Sequence, residues 1–448
     1  MEKQKVVFKT FGCKVNQYET QAIREGFLGG PYEEVEGPPQ TVAGPPRSVA
    51  EKADIYVINS CTVTADADRE CRALIRACRR ENPDAKIVVT GCYAQKDGSE
   101  LLRVGGVTHL IRHQDKARIR EIVEGRGLPR PRAALTYVPL RISDFKDHTR
   151  AFVKVQDGCD YRCSFCKVWV VRGRSVSRLP EEIVAEVRRL AARGFKEIVL
   201  TGVSIGLYGK DFLHPFDLID LVFALEEVPE IERIRLSSID PIDVTAPFIE
   251  KLLSSRKCCR QLHLSLQSGS DSLLRRMNRN YTTDHYRAIV GRFREKIPDF
   301  SITTDVIVGF PGETETQFEE TLAFIREILP TRVHIFPYSA RKGTIAYRFS
   351  AIGGSASGGQ DPVPPSVIRA RSRCLKSVAL ESSLDYRRSL LGQTVSILLE
   401  EAGPEGELSG YTDRYVKVEC NADAAFIGEL IPVRIEQIEA ERTFGRVV

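Results

Sequence analysis

The sequence predicts an α/β chain in three parts: an N-terminal domain on a parallel sheet, a central barrel-like sheet of six β/α units, and a small C-terminal β-barrel. Three observations predict it. Short apolar runs alternate with helical patterns before residue 124, and again, more regularly, between residues 152 and 336. From about Gly392 the helical pattern stops and closely spaced short strands take over. The chain has 448 residues, with 42% hydrophobic and 28% charged, as a globular protein of several domains has.

In the first part, Val6 to Phe11 reads as a strand and Asn16 to Leu28 as a helix. Ile55 to Ile58 is a second strand, with a helix from about Ala65 to Arg80; Lys86 to Thr90 is a third, with a helix near Gln95 to Leu102; Thr108 to Ile111 is a candidate fourth. A Pro/Gly-rich stretch, Gly37 to Arg47, reads as loop, and the irregular segment from about Gly125 to Arg150 marks the first boundary. The expected domains are 3–124, 145–375 and 388–448.

Cys13, Cys61 and Cys92 each follow one of the first three strands. Open α/β sheets bind ligands beyond the C-terminal ends of their strands, so three thiols scattered over the sequence would meet at one edge. Gly12 and Gly91 stand directly before two of them and permit tight turns. Any one of these could be an ordinary buried cysteine; three in one topological position favour a metal site. Cys71 and Cys78, seven apart on the second helix beside Leu74 and Ile75, fit core packing instead. The arginines on that helix (Arg69, Arg72, Arg76, Arg79, Arg80) read as a solvated face before an RNA-facing one.

In the central part the strands are Phe152 to Gln156, Glu197 to Thr201, Arg233 to Ser237, Leu262 to Leu266, Ile302 to Val308 and Val333 to Phe336. Helices fill the gaps near Pro180 to Arg193, Asp217 to Leu225, Ala246 to Leu253, Thr283 to Phe293 and Glu315 to Ile328. Such sheets carry their chemistry on the loops after the strands. The loop after the first of these strands holds Cys159, Cys163 and Cys166, spaced C-x3-C-x2-C. Iron–sulfur clusters are ordinarily held by four cysteine thiolates. A run of three leaves one metal position open, where a cofactor or substrate can bind. Thr201, Gly202, Val203, Ser237, Ser238, Gln267 and Gly309 to Gly312 lie on the same ends.

After a Gly/Ser-rich linker, Gly353 to Gly359, a helix runs from about Ser366 to Arg387, and the tail has strands at Thr394 to Leu399, Tyr415 to Val418 and Leu430 to Ile438. Acids outnumber bases between Glu400 and Arg446, so RNA contacts there would be local, through Tyr411, Arg414, Tyr415 and Lys417. Cys258, Cys259, Cys374 and Cys420 join no ligand set. No apolar run is long enough to span a membrane, and the N-terminus lacks a signal-peptide pattern, so a cytoplasmic location is expected. Twelve cysteines in that compartment argue for metal or redox use over disulfides. A net charge of +5 permits a nucleic-acid partner without demanding one.

The C-x3-C-x2-C run after the first strand of a partial barrel resembles the radical S-adenosylmethionine (SAM) enzymes. With the N-terminal three-cysteine domain and a TRAM-like tail, nearly the whole chain is similar to the methylthiotransferases. Phe11 to Glu19 resembles the subgroup acting on N6-threonylcarbamoyladenosine in tRNA; Asn59 to Thr64, Leu264 to Ser270 and Val308 to Thr314 also match the family. The sequence departs from it in three places: Lys167 to Val171 replaces a usual proline, Ser204 a common asparagine, and the Gly/Ser linker is an insertion.

The resemblance implies two [4Fe–4S] clusters, one on Cys159, Cys163 and Cys166 and one on Cys13, Cys61 and Cys92. SAM would chelate the open iron of the first and yield a 5′-deoxyadenosyl radical that takes hydrogen from C2 of the adenine; the second would present the sulfur. Thr201, Gly202, Val203, Ser237, Ser238, Gln267 and Asp305 would line the cofactor site. The implied partners are a tRNA anticodon stem-loop and a flavodoxin- or ferredoxin-like electron donor; the sulfur donor is left open. Rival readings are the same chemistry on isopentenyladenosine tRNA or on a ribosomal protein, and a zinc-bearing RNA-binding protein without catalysis.

Overall fold

The computed structural model describes residues 2–37, 52–126, 140–351, 362–403 and 406–448, with the side chains of 350 and 351 set aside. The Gly353 to Gly359 linker, nearly all of the Gly37 to Arg47 loop and half of the 125–150 segment lie outside the described residues. The chain divides into two compact units. The first comprises Met1–Lys146, Asp157–Asp160 and Lys167–Arg178; the second comprises Asp147–Gln156, Tyr161–Cys166 and Leu179–Val448.

In the first unit the strands are nearly continuous apolar runs, the pattern of a parallel sheet covered on both faces. β1 (Gln4–Thr10), β2 (Tyr32–Glu34), β3 (Ile55–Ser60), β4 (Lys86–Gly91) and β5 (His109–Leu110) pair in parallel in the order β2-β1-β3-β4-β5. Alternation along each strand divides the core in two. Val6, Ile55, Val57 and Val88 pack with Ile23 and Phe27 of α1 (Lys14–Phe27) and with Ile119 and Val123 of α4 (Ile119–Val123). Val7, Tyr56, Ile58 and Ile87 pack with α2 (Ala65–Glu81) and α3 (Cys92–Arg103). α2 starts where the Thr64 hydroxyl accepts from the Ala67 amide; Asp66 and Asp68 in its first turn and Arg79 and Arg80 in its last are favourable to the helix dipole. Cys71 and Cys78 are fully buried in this core, as their spacing predicts; burial pushes both thiols up to about 12. Two features escape the sequence pattern. β2 is a three-residue edge strand with one buried side chain, and α3 starts at Cys92 itself rather than near Gln95.

Next come β6 (Arg150–Lys154) and β7 (Gln156–Asp157), followed by α5 (Val168–Arg172) and β8 (Val176–Ser177), which belong to the first unit. The second unit continues with α6 (Pro180–Ala191), β9 (Glu197–Thr201), α7 (Leu218–Glu226), β10 (Arg233–Leu236), β11 (Ser238–Ile239) and α8 (Ala246–Ser254). Then follow β12 (Gln261–Leu264), α9 (Asp271–Arg276), α10 (Thr283–Lys296), β13 (Ser301–Val308), α11 (Glu315–Ile328), β14 (Arg332–Pro337) and α12 (Ile345–Ala351). β10-β9-β6 and β11-β12-β13-β14 are all-parallel sheets. β10 and β11 meet at Ser237, so the predicted series of six β/α units is present. Its third strand is divided at Ser237, where pairing passes from Leu236 with Leu200 to Ser238 with His263.

α13 (Pro365–Arg388) leads to β15 (Thr394–Ala402), β16 (Leu408–Thr412), β17 (Lys417–Asn421), β18 (Leu430–Ile438) and β19 (Thr443–Val447), a closed barrel in the order β15-β16-β17-β19-β18. β16 and β19 were not predicted. Each has a glycine at its centre, Gly410 or Gly445, which dilutes the strand signal. This barrel is seated on the parallel strands through arginines. Arg233 donates to the Ser396 and Tyr411 carbonyls, and Arg235 to those of Thr412 and Asp413. Arg150 lies over the rings of Tyr411 and Tyr415, which stack 4.8 Å apart. Glu197, fully buried, is the counter-ion of Arg235, Arg150 and Arg233. Of the residues expected to meet RNA, Arg414 is buried, while Tyr411 and Tyr415 are half-buried and already engaged within the protein. Arg414 is paired with Asp299 at 2.5 Å, and the two tyrosines pack under Arg150. Lys417 stays 44% exposed beside Glu401.

Candidate active site

In the first unit, Cys13, Cys61 and Cys92 stand just beyond β1, β3 and β4. Cys13 caps the N-terminus of α1, and Cys92 opens α3. Gly12 and Gly91 both have left-handed backbone (φ +93° and +94°). A Cβ on Gly12 would lie 2.6 Å from Cys61 Sγ, and one on Gly91 would run into the Ser60 backbone. Glycine is needed at both places to bring the strand ends together. Burial pushes the Cys61 thiol up to about 12, and the neighbouring Cys92 and Cys13 add to it. Burial raises Cys92 as well, against the pull of Arg172. Two buried thiols beside the exposed Cys13 are a donor set suited to a cationic metal centre, whose binding displaces thiol protons.

Behind these thiols lies a buried charged network that the sequence reading did not find. Arg172, at the end of α5, donates to Asn16 Oδ1 at 2.8 Å, Glu19 Oε1 at 2.9 Å and Asp157 Oδ1 at 3.0 Å. Glu19 also pairs with Lys116, and both side chains are 1% exposed. Burial works against the charge on Arg172, but Asp157, Cys92 and Glu19 outweigh it and hold its pKa well above the ordinary value. Burial pulls Lys116 below the ordinary lysine value even against Glu19. His113 beside them is kept neutral, first by burial and then by Lys116 and Arg172. Neither of its ring nitrogens has a partner among the described residues. The signal was present in α1. Asn16 and Glu19 are polar yet 0% and 1% exposed, and both lie within the segment that carries the family likeness.

The C-x3-C-x2-C loop is fixed at each end by its own unit. In the first unit the Cys159 amide donates to the Gly173 carbonyl at 3.0 Å. In the second, the Ser164 amide donates to the Met277 carbonyl, Asn278 Nδ2 to the Arg162 carbonyl and the Cys166 amide to the Cys163 carbonyl. Arg279 Nη1 lies 3.0 Å from Cys163 Sγ while Nη2 pairs with Asp240 at 2.6 Å. Lys167, in the place of the usual proline, pairs with Asp97 at 3.2 Å, and the helical turn after it delivers Arg172.

The strand-end residues are distributed as follows. Thr201 is buried at the end of β9, and the Val203 and Ser204 amides both donate to Gln156 Oε1 at 3.0 Å; that glutamine was missed in the sequence. Ser237 is buried with a hydroxyl that has no partner among the described residues, and Ser238 faces Ser265 at 3.4 Å. Gln267 has φ +68° and its amide donates to the Asp305 carbonyl. Asp305 lies in the middle of β13, not at its end, with its carboxylate 3.1 Å from His263 Nε2.

Comparison with known proteins decides the family. Residues 153–325 match the radical SAM superfamily, 5–112 an uncharacterized protein family, UPF0004, and 388–448 the TRAM domain. The chain is 37% identical over 443 residues to the threonylcarbamoyladenosine tRNA methylthiotransferase MtaB of Bacillus subtilis, covering 96% of this chain and 93% of that protein.

The chain belongs to the radical SAM methylthiotransferase family.

As a radical SAM methylthiotransferase it is an enzyme of methylthio transfer, and the superfamily brings SAM and a [4Fe–4S] cluster. The open three-thiol loop, with an arginine aimed at one sulfur, fits that group. A second relative, the tRNA-2-methylthio-N(6)-dimethylallyladenosine synthase of Desulfitobacterium hafniense, is 31% identical, over 98% of this chain and 97% of that protein. Among solved structures, the radical SAM methyltransferase TsrM of Kitasatospora setae shares the fold (TM-score 0.52, 17% identity, 74% of this chain and 73% of that one). No helix among the described residues is long and apolar enough to cross a membrane.

Proposed function

We propose that this methylthiotransferase converts N6-threonylcarbamoyladenosine beside the tRNA anticodon to its 2-methylthio derivative. The observation that carries the reading is likeness over nearly the full length to enzymes named for that substrate. Two such relatives are 37% and 36% identical, against 31% for a relative named for the dimethylallyl base. The buried Asn16 and Glu19, which hold Arg172, lie in the segment whose sequence resembles the same subgroup.

In this proposal Cys159, Cys163 and Cys166 hold one [4Fe–4S] cluster and Cys13, Cys61 and Cys92 a second. Three ligands in each set leave one position for cofactor or sulfur. When bound, these groups and SAM supply the radical that removes the C2 hydrogen and the sulfur that replaces it. The protein's own residues orient and shield. Arg279 donates to Cys163 and is held by Asp240; Arg172 sets positive charge beside Cys92; Gln156 fixes the turn at Val203. Thr201, Gly202, Val203, Ser237, Ser238 and Gln267 line the cofactor site; Asp305, in the middle of β13, leaves that set. Residues 3–124, 145–375 and 388–448 act as sulfur-bearing, radical-forming and RNA-docking parts, in the cytoplasm. The anticodon loop binds with its target base unstacked, because a stacked base cannot present C2. A flavodoxin- or ferredoxin-like protein supplies electrons.

The test is the anaerobically loaded enzyme given SAM, reductant and tRNA carrying either threonylcarbamoyladenosine or isopentenyladenosine. Nucleoside mass spectrometry should find the 2-methylthio product on the first. Product on the isopentenyl tRNA alone would overturn the assignment.

A further inference from the structure

Three metal-ligand side chains meet in the second unit and belong to neither cysteine set. His263 on β12, Asp305 on β13 and His334 on β14 offer one nitrogen or oxygen atom each, all within 4.8 Å of one another. His263 Nε2 is 3.1 Å from Asp305 Oδ2, and the two imidazole rings lie 5.6 Å apart, centre to centre.

Strand register explains the convergence. His263 is opposite Thr303 and Asp305 is opposite His334 on neighbouring parallel strands. A step of two residues puts Thr303 and Asp305 on one face. The other face carries Leu262, Leu264, Ile302 and Thr304, and Tyr286 of α10 reaches it to donate to the Leu264 carbonyl at 3.0 Å. The triad therefore points away from that helix, with His263 15% and Asp305 21% exposed.

We propose that His263, Asp305 and His334 bind a divalent transition-metal ion, separate from the clusters, in a two-histidine, one-carboxylate site. Two imidazoles and a carboxylate suit Mn(II), Fe(II) or Zn(II) better than Mg(II) or Ca(II), which prefer oxygen ligands throughout. The 3.1 Å between the His263 and Asp305 ligand atoms is the edge expected around a metal with bonds of about 2.0–2.2 Å. The Thr303 hydroxyl lies 3.0 Å from His263 Nδ1 and is itself bound by Gln261 at 2.9 Å. Such an outer partner fixes the ring and turns its other nitrogen toward the metal. Three protein ligands leave positions open to oxygen or nitrogen donors of a bound molecule.

The experiment titrates Mn(II) into the full-length protein with its clusters loaded and oxidised. Mn(II) prefers nitrogen and oxygen to thiolate, so it spares the cysteines. The room-temperature EPR signal of the aqua ion counts what stays free, and no tRNA is needed, so the result stands apart from the substrate assignment. The expected result is a single saturable Mn(II) per chain, displaced by Zn(II), with affinity falling roughly tenfold or more in Asp305→Asn and in His334→Gln at unchanged iron content. No saturable binding up to millimolar Mn(II), or equal binding by wild type and both variants, would overturn the site.

Discussion

Arg279 donates a hydrogen bond to the sulfur of Cys163 at 3.0 Å. The guanidinium is buried, and burial opposes its charge, yet Tyr281, Cys163 and Asp240 hold it charged. A donor to a cluster thiolate stabilises the reduced, more negative state and raises the potential. Arg279→Gln should lower the midpoint potential of the radical-forming cluster. The charge-assisted bond is worth about 1.5–3 kcal/mol in all, so roughly 65–130 mV for one electron is the ceiling on the shift. Arg279→Lys should keep part of the effect. An EPR redox titration reads it directly; equal potentials in all three proteins would mean that the contact does not tune the cluster.

Glu19 is the shared counter-ion of Lys116 and Arg172. Glu19→Gln leaves two buried cations short of a partner and should cost about 3–5 kcal/mol, seen as a lower thermal midpoint of the loaded protein. Arg172→Lys keeps the charge but loses the fork that reaches Asn16, Glu19 and Asp157 together, and should cost about 1–3 kcal/mol. Unchanged melting of both variants would count against the network.

The seat of the C-terminal barrel should be sensitive to acid. Burial would raise the Glu197 carboxyl, but Arg235, Arg150 and Arg233 outweigh it and hold its pKa below the ordinary carboxylate value. Its folded pKa lies under the unfolded value of about 4.3, so its contribution is present above that pH and is lost as pH falls through the folded value. Hydrogen exchange in β15 and β16 should therefore quicken below about pH 4. Glu197→Gln should show the same loss of protection at neutral pH. Protection unchanged in that variant would contradict the role.

The two cysteine sets should separate by reaction step. Cys163→Ala should abolish 5′-deoxyadenosine formation from SAM. Cys61→Ala should retain some of it while yielding no 2-methylthio product. Full activity in both variants would refute the two-cluster scheme.

The sequence made legible whatever depends on short-range pattern. The six β/α units follow from apolar runs, and Cys71 and Cys78 from helical spacing. The placement of Cys13, Cys61 and Cys92 just beyond neighbouring strands follows from strand-end position alone. Arg172 was not legible, because its partners Asn16 and Glu19 lie more than a hundred residues away and nothing local marks it as buried. The grouping of Asp305 with His263 and His334 is not legible for a related reason: register between strands, which the sequence does not print, puts them on one face. The partners of Tyr411 and Arg414 were not legible either, because an aromatic or basic residue on a small barrel looks alike whether it faces solvent or a neighbouring sheet.

If Cys13, Cys61 and Cys92 serve methylthiolation of threonylcarbamoyladenosine in tRNA, cells lacking the protein must lose the product. The most direct measurement is nucleoside mass spectrometry of total tRNA from a deletion strain, bare and complemented with wild type or Cys61→Ala. Deletion should remove the 2-methylthio form and let threonylcarbamoyladenosine accumulate, with recovery on wild type only. Persistence of the 2-methylthio form in the bare deletion strain, or its recovery with Cys61→Ala, would contradict it.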